Sequence, residues 1–69
     1  MAPMKTGILR EDEGFDLVVD GRDRTFRDVY DVALETAREL KRLNRGSRVQ
    51  VRTRADGSIR EMLEDGRIR

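Results

Sequence analysis

The chain contains no cysteine, histidine or tryptophan, and only one proline, among its 69 residues. Without cysteine it forms neither a disulfide nor a thiolate zinc site. The chain also lacks cysteine as a nucleophile and histidine as a general base. The remaining candidates, which are carboxylates, Lys5, Lys41 and Tyr30, form no recognisable catalytic pair. The sequence predicts a protein that is not an enzyme and that holds no cofactor and no metal.

Long apolar runs are also missing. No stretch approaches the roughly 18 to 20 residues that a membrane span needs, and no apolar segment follows Met1 to Lys5 as in a signal peptide. We therefore expect a cytoplasmic protein with no membrane contact. A single domain of this length buries only about 60% of the surface of its unfolded chain. Because disulfides and metals are not available to compensate, we expect it to associate as a homodimer.

Charged residues make up 42% of the chain and nearly cancel, leaving a net charge of +1. They are unevenly distributed: residues 1–40 carry six bases against ten acids, and residues 41–69 carry nine bases against four acids. This split is typical either of a basic surface that faces a ligand or of two ends that attract each other within one fold or across a dimer. The second interpretation is the simpler one.

The first half of the chain predicts a β-hairpin. Lys5 to Arg10 is the expected first strand, followed by an acidic turn that ends at Gly14. Phe15 to Asp20 alternates apolar and polar residues, as in a half-buried antiparallel strand, and Asp20-Gly21 ends it with a pair that tolerates positive φ.

One amphipathic helix is predicted from about Phe26 to Asn44. Thr25 resembles an N-cap with Asp28 three residues later, and Gly46 is placed as a left-handed terminator. Acids in the first half and bases in the last turns complement the helix dipole. At 100° per residue one face is apolar, widened on one flank by Val32 and Leu43: Phe26, Val29, Tyr30, Ala33, Ala37 and Leu40.

A second hairpin is predicted from Ser47 to Glu64 around the turn Asp56-Gly57. Val49 and Val51 fall on one side of its first strand. In its second strand Ile59 and Leu63 share a side with Glu61, and Met62 lies on the other side. Arg67 to Arg69 is expected either to fray or to add a short strand.

The second half of the chain resembles a family of short bacterial and phage proteins known only as a domain of unknown function. The resemblance is carried by these positions: Ala33, Ala37, Leu40, Gly46, Val49, Val51, Asp56-Gly57 and Ile59. It implies a strand-strand-helix-strand-strand layout with an alanine-rich helix and a terminal "DG-I" hairpin, and it implies no catalytic residue. The chain differs from the family in having Phe15 where a tryptophan is expected and in lacking a histidine near the third strand.

These patterns predict an α+β fold in one domain over residues 1–69: a ββαββ four-stranded antiparallel sheet with the helix packed on one face. Residues 1–4 are expected to be disordered and 67–69 to be frayed. The predicted core is a set of apolar residues from all five elements: Ile8, Phe15, Leu17, Val19, Phe26, Val29, Tyr30, Ala33, Ala37, Leu40, Val49, Val51, Ile59 and Leu63.

Two functions are open at this point. The first is a non-enzymatic interaction module that self-associates through the sheet or the helix flank, with Val18, Met62, Val32 and Leu43 as dimer contacts. The second is weak, sequence-tolerant binding of nucleic acid by arginines on the exposed sheet face, where guanidinium groups would contact phosphates: Arg48, Arg52, Arg54 and Arg60. The competing interpretation of these arginines is structural, in that they pair with Asp16, Asp20 and Glu64 across the strands.

Overall fold

The computed structural model describes residues 13–69, which form four strands and one helix in the order β-β-α-β-β. The strands are β1 (Phe15–Val19), β2 (Arg22–Arg27), β3 (Val49–Thr53) and β4 (Ile59–Met62), and the helix is α1 (Tyr30–Leu43). All strand pairs are antiparallel, in the spatial order β2-β1-β3-β4. The predicted α+β class and the single four-stranded sheet are confirmed.

The first hairpin begins one strand later than predicted. Phe15 to Asp20 is the first strand of the described hairpin rather than its second, and Arg22–Arg27 is its partner. The predicted strand Lys5 to Arg10 lies outside the described residues, as does Ile8 of the predicted core. The turn at Asp20-Gly21 has φ values of 52° and 81°, as in the tight turns that suit the twist of a two-residue hairpin.

The helix starts later than predicted because Thr25 and Phe26 belong to β2. Its N-cap is Val29, which makes no capping side-chain hydrogen bond. At the other end the backbone N–H of Asn44 donates to the Leu40 carbonyl, and Gly46 does not have the positive φ of a left-handed terminator. The predictions of Thr25 as the N-cap and of Gly46 as the left-handed terminator are therefore both wrong. Thr25 lies instead in the edge strand β2.

The core lies between α1 and one face of the sheet. Leu17, Val49, Met62, Ala33 and Ala37 are fully buried there. Ala33 and Ala37 are small enough to let the helix backbone approach the strands closely. Val19 and Val51 complete this cluster, and Phe15, Leu34, Leu40 and Ile68 pack at its margin.

Four predicted core residues lie elsewhere, and one of them, Leu63, follows β4 and is not part of the core cluster. Val29 and Ile59 are 50% and 55% exposed, and Phe26 lies on the sheet face away from the helix, directly opposite Asp16 in the neighbouring strand. We call this second face the open face. Val18 is also on it, but only 6% of its surface is exposed, so it does not form the contact patch that its position in the sequence indicated.

The faces of β4 are the reverse of the prediction. Met62 lies opposite Val49 and is fully buried in the core, and Ile59 lies opposite Arg52 on the open face. The sequence of β4 has apolar residues on both of its sides, so alternation did not decide which side is buried. A one-residue change of register moves every side chain of a strand to the other face. After β4 the chain turns back, and Ile68 forms a bridge with Met62, so the strand-like alternative for residues 67–69 is nearer to the structure than fraying.

Gly14 precedes β1 with a φ of 97°, and a Cβ placed there would lie 2.3 Å from ring atoms of Phe26. Gly57 has a similar φ of 75° with no heavy atom within 4 Å of such a Cβ. We expect Gly57→Ala to lower the free energy of unfolding by about 1 kcal/mol through backbone strain alone, and Gly14→Ala to cost about 1 to 3 kcal/mol more through the clash. Urea unfolding of both variants measures the difference. Equal losses would show that the Phe26 ring moves aside freely.

Candidate functional site

The most densely bonded polar cluster lies on the open face around Asp16. This carboxylate is 4% exposed, and it accepts hydrogen bonds from Arg54 at 2.9 and 3.0 Å and from Arg52 at 3.1 Å. Arg52 also bonds both carboxylate oxygens of Asp23 at 3.0 Å. The cluster therefore joins β1, β2 and β3 through two arginines and two aspartates.

The electrostatics of the cluster favour the charged form of Asp16. The hydrogen bond from Arg54 lowers the pKa of Asp16 below its ordinary value, burial acts in the opposite direction, and Arg52 lowers the pKa further. The bonds to Asp16 and Asp23 raise the pKa of Arg52 in turn. Two carboxylates thus neutralise the guanidinium of Arg52, which is less available to a phosphate than an unpaired arginine.

The aromatic ring on the open face is also engaged. The guanidinium carbon of Arg54 lies 4.5 Å from the centre of the Phe26 ring, in the geometry of a cation–π contact. Stacking of a nucleic-acid base on this face would need that ring uncovered. The arrangement is that of a structural layer that covers the outer side of β1.

The remaining arginines of the predicted row are separated. Arg48 lies 3.1 Å from Glu61 across the sheet. Arg60 lies opposite Val51, on the helix side, and donates to the Tyr30 hydroxyl at 2.9 Å. The four arginines therefore do not form one surface, and the inclusion of Arg60 in the sheet-face row is wrong.

The structural interpretation of these arginines holds in part. Asp16 is a partner as predicted. Asp20 accepts a hydrogen bond at 3.0 Å from the backbone N–H of Arg48 rather than from its side chain, and this bond lowers the pKa of Asp20. Arg48 pairs with Glu61, which was not among the predicted partners, and Glu64, which was among them, pairs with none of these arginines within residues 13–69.

Of the four predicted dimer contacts, only the two on the helix are available. Val32 is 44% exposed and Leu43 is 64% exposed, while Met62 and Val18 are buried in the monomer. Val32, Thr36 and Leu43 are spaced by four and seven residues, so they follow one line along α1; we call this line the helix flank. Val29, immediately before the helix, adds an exposed apolar side chain near its start.

A second surface, which sequence analysis did not single out, lies at the end of the helix. Basic residues of the last turns and of the following loop face the turn after β4 across a groove of about 320 Å³. We call it the basic groove; its lining residues are Arg38, Lys41, Arg42, Arg45, Leu63, Glu64, Asp65 and Gly66. In the sequence these bases were attributed to the helix dipole, and only the return of the chain after β4 encloses them.

Within residues 13–69, no group of three or more metal-ligating side chains lies close enough together to hold an ion. In the same part of the chain, no helix has the length and apolar composition to cross a membrane.

Comparisons of the chain with protein-family models, with curated proteins and with solved structures find no match. The resemblance to a bacterial and phage family therefore stays a prediction, and the geometry of the surfaces described above is the basis on which a function is proposed.

Proposed function

We propose that the protein is a non-enzymatic interaction module that forms a homodimer through the helix flank. The observation that carries this proposal is the exposure of Val32 and Leu43, at 44% and 64%, on the side of a helix whose other apolar residues are buried or partly buried. A small domain gains stability when a second copy covers such residues. The partner that fits is a second copy of the same helix.

The charge pattern of α1 selects the orientation of the two copies. Acids occupy the first half of the helical region, with Asp28, Asp31 and Glu35. The second half carries three bases and one acid: Arg38, Lys41, Arg42 and Glu39. In an antiparallel pair the acidic half of each helix lies beside the basic half of the other, and the two helix dipoles are opposed. A parallel pair would bring like charges together. We therefore propose an antiparallel, two-fold arrangement with Val32 of one copy near Leu43 of the other.

The open face supports this choice over nucleic-acid binding by the predicted arginine row. Arg52 and Arg54 are held by the buried carboxylate of Asp16 at 3.1 and 2.9 Å, and Arg48 makes a weaker, exposed pair with Glu61. Phosphate binding would have to replace these pairs, and Arg60 is on the other side of the sheet. Helix-flank dimerisation requires no such rearrangement.

Light scattering at micromolar concentration tests the dimer. We expect a mass near twice the 8.0 kDa of one chain. Leu43→Gln should raise the dimer dissociation constant about tenfold, because two leucine side chains lose their burial at once. Ile59→Gln is the matched control, since it removes a similarly exposed apolar side chain from the open face and should leave the mass unchanged. A wild-type mass that stays near one chain would refute the proposal.

The absence of cysteine allows a direct test of orientation, because single cysteines can be placed without interference. An equimolar mixture of the Val32→Cys and Leu43→Cys proteins should form a mixed disulfide under mild oxidation, and each protein alone should form little. Efficient cross-linking of each variant with itself would instead indicate a parallel pair. Denaturing gels without reductant read out both results.

A further inference from the structure

We infer that the basic groove binds the phosphate backbone of a nucleic acid, an activity that goes beyond self-association and uses a different surface. Arg38, Lys41 and Arg42 come from the last turns of α1, and Arg45 from the loop that follows. Guanidinium groups bind phosphate oxygens in bidentate pairs, and three of the four cations are arginines.

The cations of this groove differ from those of the open face in how they are paired. Arg45 makes no hydrogen bond or ion pair with any residue of the described part of the chain, and Lys41 donates to a backbone carbonyl, that of Ser47. Arg38 uses its Nε to bond the Gly66 carbonyl at 2.9 Å, which fixes the side chain at the groove. Its ion pair with Glu35 and that of Arg42 with Glu39 are on exposed side chains, where such pairs are weak.

Two carboxylates also line the groove, and only one of them is paired with a cation of the described chain. Asp65 is paired with Arg67 at 2.8 Å, and a bond from the Arg67 backbone N–H lowers the pKa of Asp65. Glu64 has no ion-pair partner within residues 13–69, and it opposes an anion in the groove. The groove therefore keeps an excess of positive charge, and Glu64 limits its affinity for an anion.

The spacing of the bases and the surroundings of the groove favour a nucleic acid over a lipid surface. From Arg38 to Arg42 the helix rises about 6 Å. This is close to two phosphate-to-phosphate spacings along one nucleic-acid strand, at about 3.4 Å each along the axis. The large apolar side chains that are exposed in residues 13–69 are Val29, Val32, Leu43 and Ile59, and none of them lines the groove. A lipid surface would need such side chains to insert beside the bases.

The basic groove and the helix flank lie on different sides of α1. At 100° per residue, Lys41 is displaced by about 160° to 180° from Val32 and Leu43, and Arg38 by about 120° to 140°. Arg38 contacts the turn after β4, so the helix flank faces the opposite edge of the sheet, where β2 lies. Arg45 and Glu64, which are substituted to test the groove, are not among the charges that orient the dimer, so dimer formation and groove binding can be tested, and can fail, separately.

Fluorescence anisotropy of a short labelled oligothymidylate at low salt tests the inference with three single substitutions. Arg45→Gln should weaken binding about five- to tenfold, since one phosphate contact is lost. Glu64→Gln should tighten binding, because it removes the unpaired negative charge from the groove. Arg24→Gln is the matched control: it removes the same charge from the far edge strand β2 and should change the affinity less than twofold.

Three results would overturn the inference. The first is an anisotropy trace of the wild-type protein that stays flat at low salt. The second is an equal loss of affinity in Arg24→Gln and Arg45→Gln, which would indicate attraction by net charge alone. The third is binding to phosphatidylserine vesicles that shows the same dependence on Arg45 and Glu64 while the oligothymidylate does not bind, which would assign the groove to a lipid surface.

Discussion

Met62→Ala should lower the free energy of unfolding by about 3 kcal/mol. Met62 is fully buried against the helix and lies opposite Val49, so the substitution leaves a cavity at the centre of the core. Its short strand β4 has no other buried side chain to keep it on the sheet. Chemical denaturation followed by circular dichroism measures the loss, with the slope of the transition serving as a check on two-state behaviour.

Ile59→Ala is the control for this substitution because it truncates a side chain of similar size in the same strand. Ile59 is 55% exposed on the open face, and we expect a loss below about 1 kcal/mol. Alternation in the sequence alone would have predicted the opposite order. A larger loss for Ile59→Ala than for Met62→Ala would mean that β4 is turned over relative to the structure.

Asp16→Asn should be the most destabilising of the polar substitutions on the open face, by about 2 kcal/mol. Asparagine keeps the shape but removes the charge that accepts bonds from Arg52 and Arg54. Removing one partner of a buried ion pair typically costs about 3 to 5 kcal/mol, and the cost is lower here because the two arginine side chains are 35% and 36% exposed and regain water. Thermal and urea unfolding measure the difference from the wild type.

Asp23→Asn is the matched control, since it removes an aspartate that also bonds Arg52 but has a side chain that is 60% exposed. We expect it to cost less than about 1 kcal/mol. Equal losses in the two variants would show that burial of Asp16 adds nothing to its ion pairs.

The same carboxylate gives a defined dependence of stability on pH. The pKa of Asp16 is lower in the folded protein than the ordinary value of 3.8. The stabilisation that ionised Asp16 gives the folded protein is therefore complete well above pH 3.8. It is lost as the pH falls through the lower folded pKa. The gap in unfolding free energy between the wild type and Asp16→Asn should be constant near neutral pH and should narrow below about pH 4. A gap as large at pH 2 as at pH 7 would contradict this assignment.

The parts of the fold that were predictable are those in which apolar periodicity is strong. Val49 and Val51 alternate with polar residues, so their faces were predicted correctly, and Asp56-Gly57 marked the turn between β3 and β4. Ala33 and Ala37 were assigned to the buried side of the helix by their spacing. In each case burial and local backbone preference point to the same structure.

The strand β2 was not predicted, for a physical reason. Arg22 to Arg27 has no apolar alternation because it is an edge strand, and charged residues on an edge discourage pairing with other chains. Thr25 followed by Asp28 then resembled a helix cap. Tertiary pairing with β1 overrides that local signal, and the helix starts at Tyr30 instead.

The candidate surfaces were predictable only in part. Val32 and Leu43 could be assigned to the helix flank by periodicity alone. The basic groove could not, because its second wall comes from residues 63–66, which reach the helix only through the turn after β4. The partners of Arg52 and Arg54 likewise depend on the register of β1 with β3, which no local pattern specifies.

The strand order also has a consequence for how the chain folds. The β1–β2 and β3–β4 pairs each join neighbours along the chain, and only the β1–β3 ladder, with Leu17 opposite Val51, spans the helix. Bringing β1 and β3 together closes the chain between them at a cost in entropy, which the β1–β3 ladder and the packing of α1 on both strands offset. We therefore expect the slow event in folding to be the docking of the two hairpins beneath a formed helix, and substitutions at Ala33 and Ala37 to act chiefly on its rate.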